Sequence, residues 1–127
     1  MGPNFDKARF ISATKLKVSG KFDTHAEVID EVIIRILAIP EGHAAAMTKP
    51  MVGDARVGGE DAPLNTIDNL TNGSFEGTVT GPTGSYTVAV GDTVRLIGLS
   101  VAIKAPEAPD PPGFETFTWC VSRVVEA

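Results

Sequence analysis

The chain has 127 residues, 16 acidic and 11 basic side chains, a formal charge of −5 and 43% hydrophobic residues. That length suits one domain, the apolar share excludes a largely disordered chain, and the acidic balance argues against a nucleic-acid or anionic-membrane partner. Thirteen valines, nine isoleucines and twelve threonines stand against six leucines, so β-branched residues dominate and a helical bundle is disfavoured. With 13 glycines and 9 prolines as punctuation, the composition reads as an all-β domain with many turns.

Met1 to Lys7 has neither the basic start nor the apolar run of a secretion signal. The densest apolar stretch, Val28 to Ile39, is interrupted by Asp30, Glu31 and Arg35 and is too short to span a bilayer. The expected location is therefore the cytoplasm or a particle assembled from it, the alternative being a processed or excised domain of a longer protein. Asn69-Leu70-Thr71 and Asn72-Gly73-Ser74 match a glycosylation pattern, but in a turn-rich stretch they read as a turn.

In residues 11–22, Leu16, Val18 and Phe22 share one parity and Lys15, Lys17, Ser19 and Lys21 the other. This is a strand with one buried and one wet face, and its lysines would protect it at a sheet edge. Residues 24–39 carry two signals: Thr24-His25-Ala26-Glu27 resembles a helix capping box ahead of a helical stripe of Val28, Ile29, Val32, Ile33, Ile36 and Leu37, while Val28, Ile29, Val32, Ile33, Ile34, Ile36 and Ile39 are all β-branched. The composition favours a strand, with Val32, Ile34 and Ile36 on one side and Ile33 and Leu37 on the other, as if covered on both faces. Segment 40–73 has weak periodicity and is longer than ordinary loops. Within it, Ala44 to Met47 suits a short helix or strand, and Met51-Val52 a strand start.

Phe75, Gly77 and Val79 alternate with polar residues, and Gly81-Pro82-Thr83-Gly84 makes a turn. Tyr86, Val88 and Val90 then alternate as a further strand before Gly91-Asp92, a hairpin turn candidate. Residues 93–103 form a long strand in which Gly98 marks a bulge or a close approach. The stretch 104–113 is a proline-rich loop. The last strand, 114–125, puts Phe117, Trp119, Val121 and Val125 on one side.

Short strands, Gly/Pro turns and a tryptophan late in the chain predict a single antiparallel two-sheet β-sandwich, immunoglobulin-like or jelly-roll-like. Lys17-Val18-Ser19-Gly20 followed by Val32 to Leu37 is similar to the early strands of bacterial immunoglobulin-like domains, without their paired cysteines. The expected core is Leu16, Val18, Phe22, Val32, Ile34, Phe75, Val88, Val90, Leu96, Phe117, Trp119 and Val121.

Chemistry-bearing motifs are sparse. The sequence contains no Walker loop, Rossmann fingerprint, His-Glu-x-x-His motif or serine elbow. His25 and His43 are the only histidines and fit no short metal-binding spacing. Cys120, the sole cysteine, permits no internal disulfide, and no histidine follows it to complete a copper site. Glu41, Asp54, Glu60, Asp61 and Asp68 offer hard oxygen ligands, but not in the alternating spacing of a calcium loop. Trp119 and Tyr86 share parity with apolar neighbours, so they read as core rather than as a sugar-stacking platform.

The function expected is therefore non-enzymatic and free of cofactors: a structural or adaptor module acting through protein association, as in a particle, filament or virion component. Met47, Met51 and Val52 offer an adaptable apolar surface, and Pro109, Pro111 and Phe114 a second recognition element on a rigid scaffold. The alternative is a small-ligand or carbohydrate-binding module that uses segments 40–73 and 104–113.

Overall fold

The computed structural model describes residues 3–22, 29–57, 73–104 and 113–127; side chains are described over 4–21, 34–55, 74–100 and 116–127. Seven strands are described: β1 (Pro3–Ser12), β2 (Lys15–Phe22), β3 (Ile29–Pro40), β4 (Met51–Val57), β5 (Gly73–Thr80), β6 (Thr93–Lys104) and β7 (Gly113–Glu126). One short helix, α1 (Ala44–Thr48), lies between β3 and β4. The strands form one closed barrel in the order β1-β2-β5-β4-β3-β6-β7. Neighbours pair antiparallel except at the seam, where β1 and β7 run parallel through Ala8↔Val125 and Arg9↔Glu126.

This closed barrel replaces the expected two-sheet sandwich, immunoglobulin-like or jelly-roll-like. Both architectures bury alternate residues of each strand, so side-chain periodicity does not separate them. Closure depends instead on β1, which the sequence reading did not recognise as a strand. Its register slips between Phe5 and Lys7 and again between Phe10 and Ser12. The first slip lets Phe5 and Ala8, three residues apart, both turn inward and be fully buried, and so hides the period of two. With β1 closing the seam, β2 lies between β1 and β5, and its lysines guard no edge.

Inward residues fill the barrel: Phe5, Leu16, Val18, Ile34, Ile36, Met51, Phe75, Val79 and Leu96 are all at most 2% exposed. Phe117, Trp119 and Val121 are partly buried against this cluster. Phe5 stacks on Trp119 with ring centroids 5.2 Å apart, and Phe75 meets both rings edge-on at 5.7 and 6.4 Å. Gly98 faces Trp119 across the β6–β7 ladder, and Gly20 faces Phe75 across β2–β5. A side chain on either glycine would overlap the opposing ring, so the ring covers the glycine and closes the gap it leaves in the barrel wall. Gly98 thus marks a close approach, as expected. The side chains of Phe22 and Val32 lie outside the described residues.

The strand expected in 24–39 is present over its described part as β3, with Ile34, Ile36 and Ala38 buried and Arg35 exposed; the capping-box residues Thr24 to Glu27 lie outside the described ones. The predicted strand at 86–90 is a correction. Tyr86 and Val88 do point inward and are buried, but Val90 is 54% exposed and not core. The backbone there joins no sheet. It laces across one end of the barrel, with the Val88 N–H bonded to the Ala13 carbonyl and the Gly91 N–H to the Val125 carbonyl. The hairpin turn is also displaced, because the Asp92 N–H bonds the Ala89 carbonyl and places Val90-Gly91 at its centre. Gly91 has φ +96°, the conformation that glycine supplies without steric penalty.

Segment 40–73 is not wholly irregular, since it contains α1 and β4. Pro50 ends the helix by forcing Lys49 out of the helical region. Ala46 is fully buried under the same barrel end that residues 81–92 cross. The Tyr86 hydroxyl ties this end together by donating to the Lys49 carbonyl at 2.5 Å. Burial pushes the Tyr86 phenol above its ordinary pKa.

Candidate functional site

The wall of the barrel has two unlike sides. On β2 and β5 the outward residues are polar, including Lys15, Lys17, Ser19, Lys21, Ser74, Glu76, Thr78 and Thr80, with Lys17 and Glu76 paired at 3.4 Å. On β4-β3-β6-β7 the outward residues are mixed, and the apolar ones gather in the middle of the face. Pairing aligns Val52 with Leu37, Leu37 with Ile97, and Ile97 with Cys120, which makes one continuous row across four strands. Leu37 and Ile97 are partly exposed, and Val52 is 38% exposed. The next row along the strands is Asp54, Arg35, Leu99 and Thr118. Arg35 there donates to Asp54 through Nε at 3.0 Å, and Leu99 is 42% exposed.

Toward α1 the following row is Ile39, Arg95 and Ser122. Here the surface dips into an open groove of about 410 Å³ lined by Ile39, Pro40, Glu41, His43, Met47 and Arg95, among others. Gly42, with φ +84°, permits the sharp turn from β3 to α1 that forms its lip. The Glu41 N–H donates to the Thr93 carbonyl at 2.9 Å and anchors that turn to β6. His43 precedes α1, makes no side-chain capping bond, and stacks on Tyr86 at 5.7 Å. Met47 projects from α1 with 70% of its surface exposed. Among the described residues, neither Glu41 nor Arg95 takes part in an ion pair.

Of the expected interaction residues, Met47 and Val52 reach this surface. Met51 does not: it is fully buried, because the parity of β4 turns Met51 and Ala55 inward and Val52 and Asp54 outward. Pro109 and Pro111 lie outside the described residues, as do His25, Glu60, Asp61, Asp68, Asn69 and Asn72. Phe114 is on β7, paired with Ile103, and its side chain is not among those described. Glu41 is at the groove and Asp54 is held by Arg35. Cys120 is exposed, at one end of the apolar row. Trp119 turns inward onto Phe5 and Phe75 and offers no outer stacking platform. Among the described residues, no three His, Cys, Asp or Glu side chains gather to hold a metal, and no helix is long and apolar enough to cross a membrane.

Sequence reasoning missed the groove because Ile39, Glu41 and Arg95 are far apart in the chain and match no motif. The apolar row left a trace in β3, whose outward parity carries Leu37 and Ile39 as well as Arg35. Comparison with protein-family models and with curated proteins finds no match to this chain.

Proposed function

We propose that this protein is a non-enzymatic structural or adaptor module whose outer β4-β3-β6-β7 face packs against another protein surface. The observation that carries the reading is the cross-strand row Val52–Leu37–Ile97–Cys120, unbroken over four strands on the outside of a closed barrel. A barrel needs no apolar residues there for its own stability, because its core is already filled from within. Contiguous apolar patches rimmed by polar residues mark interaction sites more often than isolated ones do. The rim here is the Arg35–Asp54 pair on one side and Glu41 with Arg95 on the other. Closure also removes strand addition as a means of association, so recognition has to use side chains of the wall rather than a free edge.

Sedimentation velocity over a concentration series tests this reading, with Leu37→Asp as the perturbation and Trp119 fluorescence as the check on folding. The wild type should associate and the variant should not. Association unchanged by Leu37→Asp and by Ile97→Asp would remove this face from consideration.

The groove gives specific support to a second reading, a small-ligand site. Its volume of about 410 Å³ falls within the range of ligand pockets. Ile39, which lines it, follows the outward Leu37 on β3, so the groove adjoins the apolar row and suits part of a larger protein contact. Thermal-shift screening against small carboxylates and glycans separates the two, because only the ligand reading expects stabilisation that Met47→Asp abolishes in a monomer.

A further inference from the structure

We infer that the occupant of the apolar face is a second copy of this chain, docked about a two-fold axis that lies in the contact plane and passes between Glu41 and Arg95. This inference rests on the association reading above. A two-fold interface sets one patch against itself, so residue i meets j while j meets i. Such a patch must be complementary to itself, and this one is complementary in both charge and shape.

The charge argument starts from Glu41 and Arg95. They line the same groove, and the backbone places them next to each other, since Pro40 pairs with Val94 and the Glu41 N–H bonds the Thr93 carbonyl. They carry opposite charge, and among the described residues neither has an ion-pair partner. A two-fold axis between them brings each Glu41 to the partner's Arg95 and each Arg95 to the partner's Glu41. Two ion pairs form from groups that the protomer leaves unpaired. An anionic partner would meet Glu41 unfavourably and a cationic partner would meet Arg95; only a partner with the reverse arrangement satisfies both, and a second copy presents it by symmetry.

Shape gives the same answer. Met47 stands out from α1 on one side of the Ile39–Arg95 row, and the flat Val52–Leu37–Ile97 row lies on the other side. Rotation about the axis seats each Met47 on the partner's flat row. Methionine suits that contact because its unbranched thioether adapts to the surface beneath it. Four strands about 4.8 Å apart and three same-face rows about 6.8 Å apart, the two charged flanking rows included, give a flat of about 300–400 Å² on each copy. The α1 contact adds to it, but the sum over both copies stays below the roughly 1,200 Å² of a stable interface, so the dimer is a weak, concentration-dependent one.

The experiment uses two single variants, Arg95→Glu and Glu41→Arg, alone and mixed in equal amounts. In sedimentation velocity each single variant should dimerise at least about tenfold more weakly than wild type, because like charges then face each other across the axis. The mixture should recover dimer, since one copy contributes two acids and the other two arginines at the crossing. Tryptophan fluorescence and thermal melts verify that each variant is folded. If wild type associates, Leu37→Asp abolishes association, and the mixture recovers nothing, the two-fold arrangement is wrong while the association reading stands. A wild type that stays monomeric throughout overturns the two-fold inference directly. Recovery in the mixture is the result that a neighbouring patch or a different partner cannot produce.

Discussion

Gly98→Ala isolates the contact that fits the barrel wall to its aromatic core. Gly98 is inward and buried, and its φ is not in the left-handed region, so alanine meets no backbone penalty. The new methyl would overlap the Trp119 ring at Cε2 and Cζ2 and lie 2.6 Å from Cη2. Ordinary carbon contacts sit at about 3.5–4.0 Å, so the indole has to retreat by about 1 Å. It has little freedom to do so, because Phe5 stacks on it at 5.2 Å and Phe75 abuts it at 6.4 Å. Overpacking of this kind costs about 1–3 kcal/mol. The entropy that alanine removes from the unfolded chain offsets about 0.4–1 kcal/mol. The net expectation is a loss of about 1–2 kcal/mol, read from urea titration with fluorescence of Trp119, the only tryptophan. The native emission should also shift. Wild-type stability with an unmoved spectrum would refute the ring-over-glycine packing.

Three further perturbations test other parts of the barrel. Arg123→Ala removes the Nε–H bond to the Phe5 carbonyl at 3.0 Å, which fastens β1 to β7 beyond their short parallel ladder; a loss of about 1–2 kcal/mol and faster amide exchange in β1 are expected. Ser100 is 3% exposed and among the described residues its hydroxyl has no hydrogen-bond partner, so Ser100→Ala should leave stability unchanged or raise it by up to about 1 kcal/mol, as measured by chemical denaturation. The raised pKa of Tyr86 means that the folded state holds this proton more tightly than the unfolded state. Its contribution is therefore fully present below the ordinary value of 10.0 and declines as pH rises above it; in thermal melts on the alkaline side, Tyr86→Phe should flatten that decline.

Strands with clean alternation were legible from sequence: β2, β5, β6 and β7 announce their inward faces through Leu16/Val18, Phe75/Val79, Leu96 and Trp119/Val121. The β-branched run of β3 was legible for the same reason. β1 was not, because its bulge breaks the period of two between Phe5 and Ala8. β4 was legible only at its start, since its inward positions after Met51 are Gly53 and Ala55, whose small side chains give little hydrophobic signal. Residues 86–90 misled in the opposite way: Tyr86 and Val88 alternate because they plug the barrel end, without any sheet partner. The candidate site was half visible. An exposed Met47 is readable from a short alanine-rich turn followed by Thr48, Lys49 and Pro50, but the row Val52–Leu37–Ile97–Cys120 exists only once four strands come into register, and no local pattern in one strand specifies its neighbours.

The most direct test of the outer-face account is the alkylation rate of Cys120 as protein concentration rises. Cys120 is the only cysteine and is exposed at the end of the apolar row, so its reaction with a maleimide reports whether that row is covered. The account predicts that the rate falls with increasing concentration, and that Leu37→Asp restores the fast rate at every concentration. A rate independent of concentration, the same in wild type and Leu37→Asp under conditions where the wild type associates, would contradict it.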